Sequence, residues 1–554
     1  MISAVVKEAC RNKACCHSYL LWVGFVLFVC ACFPARANVY ASDIRLNGSL
    51  QGGVVLPGHP LTISFILNDV ATNVSVQIYA GTNMVKTFDA GTNAGLNTVV
   101  WDGTNDDSSV ASVGAYNVRI TANAAGYNEW TNITDDGIDF DVFYPTGIAV
   151  NRNTNSPYYG RVFIGNAPAT DVTNPGIFKC NADGSPVEEG SFSTGGYPWS
   201  GGGYANPSPW KMDVGPDDRL YVEDLSGNGT VMSFDQVLST NYFDVLRLDN
   251  YAYTNIVLDG PYVCGNATNI QLFMADISSS GWGILSWALN SNSVAATNDI
   301  GTVEITTTNN SDPDFVPYAA ALAPNGDIFV IERVQDTSFS SAEDDATNRV
   351  FRFPSYAGTP DATALWEIGA NDLTLENSTG ISIDPTGTFV AVANRGYGSD
   401  PENLVDGGVS VFSTKDGTLV TNISESPEGV TNECVDVAWD ETGNLYITYD
   451  ENSFSQSGWR AYSPPGPNQA TTVAVPVIQV YRTLTPPQLD QATNCMGQLN
   501  FTLTGQSSVT YVVQQSPDLV NWAPVCTNFA LTPIVPISIS PPDTQDFYRA
   551  VTSP

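Results

Sequence analysis

Histidine is almost absent from this chain of 554 residues, which contains only His17 and His59. Neither lies in the long central part of the sequence, residues 143–484. That part therefore lacks the residue on which Ser-His-Asp hydrolysis, histidine-based lyase chemistry and three-histidine zinc sites depend. The glycine-rich fingerprints of P-loop and dinucleotide-binding proteins are absent as well. The functional candidates that remain are oxygen ligands and aromatic side chains.

Basic residues are also scarce. The chain has 21 Lys and Arg against 57 Asp and Glu, a formal net charge of −36. A field of that sign repels nucleic acid and anionic membrane surfaces. We therefore expect no nucleic-acid partner, whereas cation binding and solubility outside the cell are both compatible with this charge.

Cysteine spacing gives no metal or redox motif. Five of the ten cysteines precede residue 38, and the other five include no C-x-x-C pair, so neither a zinc knuckle nor a redox site is indicated. Cys495 and Cys526 fall in one C-terminal segment, where an oxidising compartment would allow a disulfide. The alternative, that both thiols stay free, is left open at this point.

The first 37 residues have the organisation of an export signal. Lys7, Arg11 and Lys13 precede the apolar run 19–33, and Ala-Arg-Ala at 35–37 follows as a small-residue cleavage site. The apolar run is short for a membrane span. We expect residues 1–37 to be removed, leaving an extracellular or cell-surface monomer without a membrane span. The alternative is an uncleaved membrane anchor.

Short alternating runs bounded by turn residues dominate the rest of the sequence, which is typical of an all-β chain. Four such runs between residues 61 and 122 predict a small β-sandwich over residues 38–142. Between the last two runs lies WDGTNDDSSVASVGAY, residues 101–116. This stretch resembles the immunoglobulin-like (Ig-like) domain of flagellar-hook-cap proteins, which implies a spacer domain. The matching residues are Trp101, Asp102, Gly103, Val113, Gly114 and Tyr116.

Residues 143–484 contain six copies of a strand–turn–strand unit. The unit is clearest in AALAPNGDIFVIER from residue 320, GISIDPTGTFVAVANR from 380 and VAWDETGNLYITYD from 437. Units of about four short strands cannot bury their own faces, so their repetition implies closure into a β-propeller. Six blades are predicted, and the long interval before Arg349 leaves a seventh open. The segment TTVAVPVIQVY, from residue 471, is expected to close the propeller.

The repeats resemble the NHL-type and SMP-30/gluconolactonase-like propellers through a degenerate G-x-A-x-D-x-x-G-x-L-Y-V pattern. SMP-30-like lactonases hold a calcium ion with Glu, Asn and Asp, so the resemblance implies a lactonase as one alternative. Their E-G-P and P-N-G-L elements are not found, since Pro324-Asn325-Gly326 is followed by Asp327. A linker at 485–494 leads to a small β module at 495–554, which resembles a C-terminal module of exported bacterial proteins.

Polar residues that end the second strand of each predicted blade are the candidate metal site. If they meet on one face of the propeller, a ring of carboxylates and amides could hold Ca²⁺. The competing interpretation is that polar residues stand there because strands end in water. The candidate ligands are Glu223, Asp276, Glu332, Asn394 and Asp450, with Asn166 and Asp224 at equivalent positions.

The loop 193–210, STGGYPWSGGGYANPSPW, is the candidate ligand-binding site. Its aromatic residues are Tyr197, Trp199, Tyr204 and Trp210. Exposed aromatic rings beside carboxylates suit stacking on sugar rings. The alternative is that the loop folds down and plugs the channel.

These observations predict an exported protein made of an Ig-like β-sandwich, a β-propeller and a C-terminal β module. The leading hypothesis for its function is binding or scaffolding, in which a propeller face is presented to a polysaccharide or a surface protein. The competing hypothesis is a calcium-dependent hydrolase or lactonase that uses the carboxylate ring.

Overall fold

The computed structural model describes residues 39–552 with several gaps, and apart from one 3₁₀ turn at Leu225–Gly227 the regular elements in this part are strands. Within it, no helix has the length and apolarity needed to cross a membrane. The predicted export signal lies outside the described residues. The gaps are 57–58, 135–141, 143, 168–173, 201–206, 228–229, 248–256, 279–282, 291–294, 296–300, 307–316, 333–347, 356–362, 370–374, 376, 396–406, 424–431, 452–456, 469, 482–483, 496–497 and 541–546.

The Ig-like sandwich consists of a three-stranded sheet, β1-β3-β6, and a five-stranded sheet, β2-β32-β7-β4-β5. Trp101 and Tyr116 are buried between them with ring centroids 5.5 Å apart, as the sequence predicts. The strands are β1 (Ala41–Leu46), β2 (Gly53–Val55), β3 (Leu61–Leu67), β4 (Asn73–Ala80), β5 (Asn83–Asp89), β6 (Gly95–Trp101), β7 (Gly114–Asn123) and β32 (Thr471–Val480).

Strand β32 belongs to the sandwich, so the expectation that it closes the propeller is wrong. It pairs antiparallel with β7 and parallel with β2. Val473 and Ile478 are buried in the sandwich core. All six blades already have four strands, so the apolar side chains of β32 are buried in the sandwich instead. The entire propeller is therefore inserted between two neighbouring strands of the sandwich.

The propeller has six four-stranded blades. The innermost strands of successive blades contact one another, and the last contacts the first, which closes the ring. The described residues of the interval before Arg349 form the end of blade 3 and the start of blade 4 and include no strand of a seventh blade. Blades 1 to 3 are β9 (Pro145–Val150), β10 (Val162–Asn166), β11 (Gly176–Cys180) and β12 (Phe192–Ser193); β13 (Met212–Val214), β14 (Leu220–Asp224), β15 (Thr230–Phe234) and β16 (Phe243–Leu246); β17 (Leu258–Asn266), β18 (Asn269–Asp276), β19 (Ile284–Ala288) and β20 (Thr302–Ile305).

The three remaining blades repeat this antiparallel order. In each blade the turn between the first two strands lies at one face of the propeller, here the turn face, and the second strand ends at the opposite, open face. Blades 4 to 6 are β21 (Pro317–Leu322), β22 (Ile328–Glu332), β23 (Arg349–Phe353) and β24 (Trp366–Gly369); β25 (Ser378–Ile383), β26 (Phe389–Asn394), β27 (Gly408–Ser413) and β28 (Leu419–Ile423); β29 (Asn432–Trp439), β30 (Leu445–Glu451), β31 (Gly458–Ser463) and β8 (Thr131–Asn132).

A strand from before blade 1 completes blade 6. Strand β8 pairs antiparallel with β31, with Asn132 opposite Tyr462 and Thr131 opposite Ser463. The preceding Trp130 packs edge-to-face on Trp439 at 6.1 Å. The ring is thus closed by a two-residue strand that is separated from its blade by more than 300 residues of chain.

The D-x-x-G turns act as local folding devices. In blade 6 the Asp440 carboxylate accepts the backbone N–H groups of Thr442 and Asn444, each at 2.9 Å. Gly443 has a φ of 90°, a conformation that glycine adopts without strain. The buried carboxylate therefore fixes the turn.

The sandwich packs against the turn face at blades 6 and 1. The Tyr40 hydroxyl lies 3.3 Å from that of Tyr446, and the Tyr40 ring lies 5.0 Å from that of Tyr159. Arg45 of β1 forms an ion pair with Glu188, in the turn after β11. Sandwich and propeller therefore share a buried contact as well as interleaved strands.

The C-terminal module consists of two three-stranded sheets, β33-β34-β37 and β36-β35-β38, around buried Leu503, Tyr511 and Val513. Cys526 has no disulfide partner among the described residues. The Cys495 side chain lies outside those residues, so their pairing stays a prediction. The strands are β33 (Gln488–Cys495), β34 (Gln498–Thr504), β35 (Thr510–Ser516), β36 (Ala523–Phe529), β37 (Ile534–Ile539) and β38 (Phe547–Thr552).

Candidate functional site

A small cavity lies on the propeller axis, where the innermost strands of all six blades meet. Its volume is about 50 Å³, which leaves room for roughly three or four water molecules. A sugar ring has far more atoms than this space admits. Polar groups project into the cavity from several blades, among them Arg152, Lys211, Asp213, Tyr262, Ser382 and Asp436.

Lys211 and Asp436 form an ion pair across the axis. The Lys211 ammonium lies 3.2 Å from Asp436 Oδ1 and donates to the Val435 carbonyl. Burial lowers the pKa of Lys211 and raises that of Asp436, and the attraction between the two charges opposes both shifts. A Cβ atom on Gly380 would lie 2.4 Å from Asp436 Oδ1. The glycine of the GISIDP repeat therefore makes room for the carboxylate.

A second polar group joins blades 1, 2 and 3. Asp213 accepts the backbone N–H groups of Val263 and Val214, each at 2.8 Å. Burial raises the pKa of Asp213 to about 6, against the opposing charge of Arg152. Arg152 also interacts electrostatically with Tyr262, whose hydroxyl donates to the Leu322 carbonyl at 2.9 Å. Burial raises the pKa of that hydroxyl to about 12.

These axial groups connect blades. Lys211 of blade 2 is paired with Asp436 of blade 6, and Arg152, at the end of the first strand of blade 1, reaches Tyr262 of blade 3. Removing one partner of a buried ion pair typically costs about 3–5 kcal/mol, because the other charge is left uncompensated. The ion pair therefore holds blades 2 and 6 together near the axis, where the two charges are already engaged with each other.

Glu223 and Asp259 form a buried pair of carboxyl groups beside Lys211. Glu223 accepts the Gly260 N–H at 3.0 Å, and Asp259 accepts the Trp210 indole N–H at 3.0 Å. Burial, and then the charge of Asp259, raises the pKa of Glu223 well above its usual value. The ionised form that a metal ligand requires is thus disfavoured at Glu223.

The proposed calcium ring does not assemble. Among the described residues, no group of three or more His, Cys, Asp or Glu side chains is placed to hold a metal ion. Each of the five residues is engaged by another partner, which lies in the next blade for Glu223 and in the same blade for the other four. The partners are the Gly260 N–H for Glu223, the Ser278 N–H for Asp276, Arg349 for Glu332, the Ser378 hydroxyl for Asn394 and the Ser457 hydroxyl for Asp450.

The two tryptophans of the aromatic loop are buried, so the expectation of an exposed platform is wrong for Trp199 and Trp210. Trp199 is 7% exposed and Trp210 is 2% exposed. Trp199 packs on Phe234 of the next blade at 5.8 Å, because burying an indole there removes a large apolar surface from water. Tyr204 lies outside the described residues. Tyr197 stays half-buried, and its hydroxyl donates to Asp224 at 2.9 Å.

Sequence reasoning did not single out the two buried axial carboxyl groups. Asp436 stands between Val435 and Val437, and Asp213 stands between Met212 and Val214. Each carboxylate lies within an apolar run that is predicted to be the innermost strand of a blade. Such a residue needs a buried partner, so its position in the run could have identified it as an axial group.

Residues 54–126 match the FlgD Ig-like domain, in agreement with the resemblance carried by residues 101–116. No curated protein matches the chain. The resemblance of the repeats to NHL-type and SMP-30-like propellers stays a prediction.

Several solved structures are similar to the chain. A PQQ-bound aldose sugar dehydrogenase from Streptomyces coelicolor has 11% identity and a TM-score of 0.37, covering 61% of this chain and 99% of its own. A periplasmic gluconolactonase from Pseudomonas aeruginosa has 12% identity and a TM-score of 0.33, covering 73% of this chain and 99% of its own. An endo-arabinase from Bacteroides thetaiotaomicron has 12% identity and a TM-score of 0.27, covering 58% and 94%. These TM-scores are too low to assign a function to this chain by similarity, and the propeller assignment rests on the strand pairing.

Proposed function

We propose that this protein is an exported binding protein that presents the open face of its propeller to a glycan or a surface protein. The observation that carries the proposal is the way in which the propeller is attached to the sandwich. It is inserted between the paired strands β7 and β32, and its turn face packs on the sandwich through Tyr40 and Arg45. The sandwich contacts the turn face at blades 6 and 1, so we propose that the open face, on the opposite side, meets the ligand.

The axis supports binding on the face rather than inside the channel. The axial cavity has room for a few water molecules, and Lys211 and Asp436 already pair with each other there. A ligand the size of a sugar must therefore contact the rim. The calcium-dependent lactonase is not carried forward, because its proposed ligands do not come together as a metal site in the described residues.

Tyr197 is the contact residue we propose at this rim. It follows β12 and is half-buried. Its hydrogen bond to Asp224 and the packing of its ring against Trp199 and Tyr242 fix the orientation of the ring. An aromatic ring held in one orientation stacks on the apolar face of a sugar with little loss of side-chain entropy. Phe192, which is 40% exposed on the outermost strand of blade 1, offers a control at the blade's outer edge.

The test is retention of the purified protein on immobilised polysaccharides and on cell-surface proteins. We expect the wild type to be retarded on at least one of these ligands. Tyr197→Ala should weaken that binding about tenfold, which corresponds to about 1.4 kcal/mol, and Phe192→Ala should leave it unchanged. Absence of retention across the whole panel, or equal retention of wild type and Tyr197→Ala, would contradict the proposal.

A further inference from the structure

Three of the four edge strands of the sandwich carry features that discourage further pairing. Strand β1 contains Asp43 and Arg45, and its pairing with β3 has a register shift. Strand β5 contains Lys86 and Asp89, and its pairing with β4 is also shifted. Strand β2 is only three residues long. Charges, irregular register and short length are the usual means by which sheet edges avoid adding another strand.

Strand β6 has none of these features. It is an edge of the sheet β1-β3-β6, and all seven of its residues pair with β3 without a register shift. Its sequence, GLNTVVW, contains no charged residue and no proline. Leu96 is 69% exposed and Val100 is 54% exposed, with exposed Thr98 between them. A long, regular and uncharged edge with an apolar outer face is a template for strand addition.

We propose that the protein is a dimer, in place of the monomer expected from the sequence. Strand β6 pairs antiparallel with β6 of a second copy of this chain, so that two three-stranded sheets become one six-stranded sheet. With the two-fold axis at Thr98, Leu96 of one copy faces Val100 of the other, and Thr98 faces Thr98 of the other. The three exposed positions are therefore complementary to themselves, as a two-fold interface requires. Apolar and Thr–Thr pairs opposite each other also stabilise antiparallel strands.

Charge favours this edge for self-association. Each copy carries a formal net charge of −36, so two copies repel each other over most of their surfaces. Pairing through β6 brings no charged side chain into the joined strands, whereas pairing through β1 or β5 would bring charged side chains into them. Electrostatic repulsion between two copies is therefore lowest when they join at β6. The outer face of β6 is complementary to itself, which favours a second copy of this chain over an unrelated strand.

The same pairing sets the positions of the two propellers. A Cβ atom on Gly95 would lie 3.2 Å from the Asp183 carboxylate of blade 1, so this end of β6 adjoins the propeller. Antiparallel pairing places the two propellers at opposite ends of the joined sheet. Such a dimer offers two open faces, and two linked sites raise the apparent affinity for a repetitive surface.

The first test is the mass of the purified full-length mature protein by light scattering, which does not depend on any ligand. We expect two chains per particle at tens of micromolar for the wild type and one chain for Thr98→Lys, a twofold loss of mass. Met84→Lys, at an exposed position on the charged edge β5, is the matched control and should keep the wild-type mass. Unchanged melting temperatures verify that the variants fold.

The second test is cross-linking by oxidation. In the proposed register the two copies of residue 98 face each other with Cα atoms about 4.5–5.5 Å apart, which suits a disulfide. Thr98→Cys should therefore give a covalent dimer, whereas Met84→Cys should not. A wild type that stays at the mass of one chain, a Thr98→Lys variant that keeps the mass of two, or a Thr98→Cys variant that fails to cross-link would each overturn the proposal.

Discussion

Asp213 shows how a single residue on the propeller axis couples stability to pH. Its carboxylate accepts two backbone N–H groups, yet burial raises its pKa from the ordinary 3.8 to about 6. The folded state therefore keeps a proton that the unfolded chain releases near pH 4. Because folding takes up this proton, the contribution of Asp213 to the free energy of unfolding is full below about pH 4 and is lost as the pH rises through about 6.

The corresponding prediction concerns Asp213→Asn, which cannot titrate. The free energy of unfolding of the wild type minus that of the variant should fall by about 2–3 kcal/mol between pH 4 and pH 7. Urea unfolding at several pH values, followed by tryptophan fluorescence, measures this difference. Other buried carboxyl groups contribute equally to both proteins, so the difference isolates Asp213. A difference that is constant with pH would show that residue 213 does not titrate in this range.

At the scale of elements, the closing strand β8 holds blade 6 through very few residues. Its two residues pair with Tyr462 and Ser463, and such a short strand gains little from backbone hydrogen bonds alone. The packing of Trp130 on Trp439 supplies the apolar contact that fixes it. We therefore expect the closure of the propeller to depend on Trp130.

Trp130→Ala should destabilise the propeller by about 2 kcal/mol, less than for a fully buried tryptophan because the side chain is half-buried. Thermal unfolding and the rate of proteolysis in blade 6 measure the effect. Trp522→Ala is the control, since Trp522 is also half-buried but lies in the C-terminal module beneath Arg549. Equal effects of both variants on the propeller transition would argue against a closing role for Trp130.

The sequence revealed those elements whose interactions are local. The turn at Asp440 was predictable because its hydrogen bonds span four residues. The position of Trp199 was not, because its burial depends on Phe234 in the next blade. Strand β8 is too short to give a periodic signal. The axial ion pair joins Lys211 and Asp436, which are more than 200 positions apart, and no spacing in the sequence marks such a pair.

At the scale of the whole molecule, the feature that sequence reasoning missed is the insertion of the propeller into the sandwich. The alternating segment from residue 471 would suit any half-buried strand, so its pattern does not identify its partner. Eight of its residues pair in register with β7, five before and three after one irregularity. This pairing makes sandwich and propeller one interlaced unit, on which the proposed presentation of the open face rests.

The most direct measurement of this central claim is a disulfide between β7 and β32. Thr121 and Thr472 are paired in register, and their hydroxyl oxygens lie 2.8 Å apart, so cysteines at both positions meet the geometry of a disulfide. We predict that Thr121→Cys/Thr472→Cys cross-links on oxidation. Thr121→Cys/Thr471→Cys should not, since residues one apart in a strand face opposite sides. Two thiols that stay free in the first variant would show that residues 471–480 lie elsewhere and would contradict the insertion.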